Sequence, residues 1–143
     1  MMGLTDADSA EHGVEDGAPS SNLVITAVAC PMPGRPAGAP NLHGAARIRL
    51  RRGTRVWEIY ERDEVYERYF CNYEVNPAYR EALGAAGLAL SGFSENGDIR
   101  VAELPTHPFF IATLFQPQLS SEAGMPHPLI RAFVEASALH GNS

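Results

Sequence analysis

Apolar and polar positions along the chain fall into short runs that change period several times. NLVITAVAC, at 22–30, is almost continuously apolar and rich in β-branched residues, the pattern of a buried strand. PMPGRPAGAPN, at 31–41, holds four prolines and is expected to be an irregular loop. ARIRLRR, at 46–52, alternates: Ile48 and Leu50 face one way, Arg47, Arg49 and Arg51 the other, until Gly53 ends the run. TRVWEIYERDEVYER, at 54–68, fits either helix or strand, since Trp57, Tyr60, Val65 and Tyr69 also allow a helical face. RYFCNYEVN, at 68–76, alternates as a strand, with Cys71 and Tyr73 on one face and Phe70 and Asn72 on the other.

The second half is punctuated more clearly. NPAYREALGAAG, at 76–87, predicts a helix: Asn76 is a suitable N-cap, Pro77 suits the first turn, and Gly87 closes the end in a left-handed conformation. LALSGF and DIRVAEL predict two strands joined through SENG, where Asn96-Gly97 signals a hairpin turn. LPTHP turns into FFIATLF, at 109–115, predicted as a buried central strand. HPLIRAFVEASAL, at 127–139, predicts a helix with Leu129, Phe133 and Ala136 on its core side. The order is strand, long loop, strands, helix, hairpin, strand, helix, which is α/β with a mixed sheet. A complete βαβαβ opening is missing, so the pattern is that of the second half of a larger fold.

Composition narrows the chemistry. At 143 residues the chain is a single domain at most, and its net charge of −6 argues against a nucleic-acid partner. All eleven basic residues are Arg, which excludes a Lys Schiff base, a Lys general base and a phosphate loop ending in Gly-Lys-Ser/Thr. Residues 1–21 carry Asp6, Asp8, Glu11, Glu15 and Asp16 without any Arg, the composition of a flexible acidic arm. No leader segment and no run of 18 apolar residues is visible, and Cys30 and Cys71 do not make a disulfide framework. The expectation is therefore a cytoplasmic protein with no membrane partner. The Arg stripe at 47, 49 and 51 has two explanations, an RNA-facing patch or a solvated sheet face, and the acidic charge favours the second.

Candidate chemistry gathers at the end of the 109–115 strand, where open α/β sheets place their sites. Gln116 and Gln118 stand there, neutral amides that neither take nor give a catalytic proton. Three motifs, YEVNPAYREALGAAGLALSG, ELPTHPFFIATLFQP and PHPLIRAFVEA, resemble the end of the class I glutamine amidotransferase (glutaminase) domain of the CTP synthase family. The resemblance runs densely over 67–134 and more thinly back to DADSAEH. It implies a partial class I glutamine amidotransferase-like (flavodoxin-like) three-layer fold, with residues 22–143 as a half-domain. It also implies family chemistry by a Cys-His-Glu triad, in which Cys attacks the glutamine side-chain amide, His moves protons and Glu orients the His.

The resemblance places Gln116 at the triad His and Gln118 at the triad Glu, and it implies that the nucleophile elbow lies upstream of residue 1. Glu11 matches a family Glu that binds the α-amino group of glutamine. Asn72 stands where the family has an Arg for the α-carboxylate, and that exchange removes a bidentate cation. The expected substrate-binding set is Glu11, Asn72, Gln116 and Gln118, with no catalytic residue, no metal and no cofactor. Three functions follow: a non-catalytic module for a small polar ligand or a partner chain, an enzyme of new chemistry using Cys71, or the C-terminal half of a split or truncated amidotransferase. In the last case the partner is a separately encoded N-terminal half or a homo-oligomer mate. A free Cys in a strand is more often a small buried hydrophobe than a nucleophile, and both Cys71 and Cys30 are assigned that role. His107 is expected to be a turn residue, and His12, His43, His127 and His140 show no metal-ligand spacing.

Overall fold

The structure, a computed structural model, describes residues 3, 7–10, 22–27 and 43–140. In chain order the elements are β1 (Ala7–Ser9), β2 (Asn22–Ala27), β3 (His43–Leu50), α1 (Arg55–Tyr60), β4 (Glu64–Phe70) and β5 (Tyr73–Val75). A 3-10 turn (Pro77–Tyr79) leads into α2 (Arg80–Ala85), then β6 (Ala89–Phe93), β7 (Ile99–Glu103) and β8 (Ile111–Thr113). A second 3-10 turn (Pro117–Ser120) and α3 (Pro128–His140) complete the series.

These strands form two sheets. The smaller has the order β1-β2-β5, with β1 parallel and β5 antiparallel to β2; the larger is antiparallel throughout, in the order β4-β3-β6-β7-β8. Three residues of the expected acidic arm are thus a strand paired with β2, and apart from Gly3 and Ala10 the rest of residues 1–21, Glu11 included, lies outside the described residues. So do Cys30 and the proline-rich segment 31–41.

Local chemistry explains most boundaries. The ambiguous 54–68 segment is helix and then strand. Thr54 Oγ1 accepts the Trp57 N–H at 3.4 Å to open α1, and Glu61, left-handed at φ 53°, closes it. Beyond it Val65 and Glu67 turn inward and the chain extends. Asn76 caps the first 3-10 turn through Ala78 N–H (3.0 Å), Gly87 (φ 93°) closes α2, and Gly97 (φ 87°) turns the β6–β7 hairpin, all as the sequence predicts. Ile48 and Leu50 of β3 are buried, whereas Arg49 and Arg51 are exposed and Arg47 pairs with Glu64 and Glu95.

Three expectations change. The strand predicted at 68–76 is broken: β4 ends at Phe70, and β5 joins the other sheet after a break at Cys71 and Asn72. The central strand predicted at 109–115 is the three-residue β8 at a sheet edge, since the Phe109 N–H is taken by His107 Nδ1 and residue 116 turns away towards β4. On α3 Leu129 is buried, but Phe133 is 55% exposed and meets Phe109 edge-on at 5.7 Å. The core unites Ile48, Leu50, Val56, Val65, Val101, Phe115 and Leu129, from strands β3, β4 and β7, helices α1 and α3 and the chain after β8. Close approach of β6 to β7 requires Gly92, where a Cβ would lie 2.5 Å from Val101 Cγ2.

Candidate functional site

After β8 the chain crosses to the far edge of its own sheet. The Gln116 N–H donates to the Arg68 carbonyl on β4 (3.0 Å), and the Gln116 side-chain Oε1 accepts the Phe70 N–H (2.6 Å). One residue therefore meets two successive outward-facing groups of β4, so the sheet curls until its two edges are bridged. The 3-10 turn that follows is fixed by the Leu119 N–H on the Gln116 carbonyl (2.9 Å) and by Arg68 Nη1 on the Leu119 carbonyl (3.3 Å). Among the described residues Gln116 Nε2 has no hydrogen-bond partner, so its two N–H donors are available at the strand end.

Three residues of the predicted set lie among the described residues. Asn72 is half-buried in the β4–β5 break, two residues beyond the N–H that holds Gln116. Gln118 is exposed on the turn, and its carbonyl accepts the Ser121 N–H at 3.4 Å. The half-buried Cys71 turns onto its own chain: its thiol donates to the Tyr73 carbonyl (3.7 Å), and its sulfur accepts the Tyr73 N–H (3.4 Å). That local loop, rather than strand alternation, sets its direction. His107 is the turn residue expected, with Nδ1 accepting the Phe109 N–H at 3.1 Å.

Behind this turn lies a polar cluster that sequence reasoning missed. Glu67 on β4 is 4% exposed, and His127, just before α3, is 3% exposed. Glu67 Oε1 receives the Tyr60 hydroxyl from the end of α1 (2.5 Å) and lies 3.0 Å from His127 Nε2; Tyr60 Oη lies 3.1 Å from the same nitrogen. The tautomer follows from the other ring nitrogen. His127 Nδ1 accepts the Leu129 N–H (3.2 Å), capping α3, so Nε2 carries the hydrogen and donates it to Glu67. Burial, followed by the hydrogen bond to Glu67, pushes the Tyr60 phenol well above its ordinary value of 10.0 and keeps it a neutral donor. Among the described residues Glu67 Oε2 is buried without a hydrogen-bond partner. The sequence carried a signal for this cluster: Val65, Glu67 and Tyr69 share one face of the strand, and an acid on an apolar face needs a buried partner.

No protein-family model matches the chain. The solved "CTPS - glutaminase domain with bound acivicin" of Trypanosoma brucei superposes with a TM-score of 0.83 at 30% identity, covering 96% of this chain and 53% of that one. The fold is therefore that of a class I glutamine amidotransferase domain, α/β with flavodoxin-like character. A CTP synthase of Nostoc punctiforme is 38% identical over 141 residues, and one of Rubrobacter xylanophilus is 40% identical over 137. In sequence and fold the chain is thus similar to the glutaminase region of the CTP synthases. It spans about a quarter of the length of these curated relatives, 24% of each. Among the described residues no helix is long and apolar enough to cross a membrane.

Proposed function

We propose that this chain is a glutaminase-like module whose strand-end site binds a neutral, hydrogen-bonding group and does not hydrolyse glutamine. The observation that carries the reading is Gln116. Its carbonyl oxygen is committed to the Phe70 N–H at 2.6 Å, and its amide nitrogen carries no lone pair for proton transfer. Where the resemblance expects a general base, the site offers two fixed N–H donors, and proton transfer of that kind typically contributes about 10²–10⁴-fold to rate. Asn72 nearby is uncharged, which supports a primary amide or lactam heterocycle as ligand rather than a free amino acid. Cys71, bonded to Tyr73, gives little support to chemistry of its own. The span of the match supports a second reading, in which the chain acts as the C-terminal half of a larger amidotransferase assembly.

The test uses the full chain at neutral pH with L-glutamine up to saturating levels. Ammonia release is expected to stay at the level of buffer alone, and release that saturates with glutamine refutes the proposal. In parallel, the side-chain amide resonances of Gln116 and Asn72 are followed against 2-pyrrolidone and against L-glutamine. Saturable shifts with the lactam alone support the reading.

A further inference from the structure

We infer that Tyr60, Glu67 and His127 are positioning residues for the turn that carries Gln116 and Gln118. The inference rests on reading the strand end as the ligand site and extends it to what holds that site in place. Glu67 and Arg68 are neighbours on β4 and, as strand residues, face opposite ways. Glu67 points inward to His127, while Arg68 presents its carbonyl to Gln116. From His127 the connection runs outward again: its backbone N–H donates to Ser121 Oγ (3.1 Å), and that hydroxyl reaches the Pro117 carbonyl (3.4 Å), one residue from Gln116.

The hydrogen bonds thus close a ring. It leaves β4 at Glu67, passes through His127, Ser121 and the 3-10 turn to Gln116, and returns to β4 at Arg68 and Phe70. Within it His127 has two demands on a single ring. Nδ1 must accept from Leu129 to start α3, and Nε2–H must donate to Glu67. Tyr60 supplies the second donor to the same carboxylate oxygen, which fixes the carboxylate that in turn fixes the imidazole. A group serving the core alone would need no path to Ser121. This one sets the height of the turn above β4, and with it the direction of the free Gln116 amide.

The readout is hydrogen exchange of the Phe70 amide in the full chain without ligand, because its acceptor is Gln116 Oε1. Amides of β7, an interior strand paired on both sides, report global stability. His127→Asn keeps a cap acceptor for Leu129 but loses the reach to Glu67, and Tyr60→Phe removes only the phenol donor. Each is expected to accelerate Phe70 exchange about ten-fold or more, with β7 amides changing less than about two-fold. Gln116→Ala sets the ceiling. Phe70 protection that is unchanged in both variants, or that falls by the same factor as β7, overturns the inference. Failure of the unmodified chain to bind 2-pyrrolidone overturns the ligand reading instead and leaves the exchange result standing.

Discussion

Replacing Glu103 by Ala will destabilise the chain far more than a single surface-acid deletion would. Glu103 ends β7, is 4% exposed, and follows Ile99 and Val101 on the inward face of the strand. Its two carboxylate oxygens cap the first turn of α1: Oε2 accepts the Arg55 N–H at 3.0 Å and Oε1 the Val56 N–H at 2.9 Å. Together with Thr54 Oγ1 on Trp57, they satisfy the N–H groups of the first three residues of α1. Truncation to Ala strands two backbone donors at the edge of the core, at about 1–3 kcal/mol each, and removes a negative charge from the positive end of the helix. Water entering the vacated space offsets part of this, so the expected loss is about 2–5 kcal/mol, a large share of the ~5–15 kcal/mol typical of a domain. With a urea slope of about 1–3 kcal/mol/M, a loss of 3 kcal/mol lowers the unfolding midpoint by about 1–3 M. Glu103→Gln keeps one acceptor and should fall between. If the Ala variant loses no more than Thr54→Ala, expected at about 1 kcal/mol, the cap does not carry the weight assigned to it.

Two further perturbations test other parts of the structure. Asp63 is held at about 2, below its ordinary 3.8, by Arg52 and then by the Trp57 indole N–H (2.9 Å). Its stabilising contribution is therefore full above pH 3.8 and is lost as pH falls through about 2; fluorescence of Trp57, the single tryptophan, should inflect near pH 2 and move up towards 3.8 in Arg52→Ala. Gly92→Ala drives a Cβ to 2.5 Å from Val101 Cγ2 in a fully packed position, for an expected loss of about 1–3 kcal/mol by thermal or urea unfolding; an unchanged midpoint would show that β6 can shift away from β7.

What the sequence made legible was chemistry that acts within a few residues. Asn76 as a cap, Gly87 and Gly97 at positive φ, and the alternation of Ile48 and Leu50 against Arg47, Arg49 and Arg51 each have a local cause, and each stands where expected. The break at Cys71 and Asn72 was invisible because alternation runs on through it, and only pairing with β2 moves Tyr73–Val75 into the other sheet. The run at 109–115 was apolar enough for a central strand, yet its length in the sheet is set by β7, which pairs only Ile111–Thr113. Glu67 and Glu103 were the least legible. Each is an acid whose justification lies 47 to 60 residues away, in His127 for one and in the α1 amides for the other. For the candidate site, Gln116 was found from its place at a strand end, but its use of backbone and side chain together on β4 required the curled sheet.

That double contact has a consequence for solubility. The outer side of β4 is a sheet edge, and an open edge is a template on which a second copy of the chain could add a strand. Gln116 occupies it in the manner of a single strand residue, its own N–H on the Arg68 carbonyl and its side-chain carbonyl standing in for the backbone oxygen that Phe70 N–H would otherwise seek. One glutamine thereby blocks the register that an incoming strand would need, which leaves Tyr66 and Phe70, both large and exposed, without the backbone pairing that would turn them into a contact between molecules.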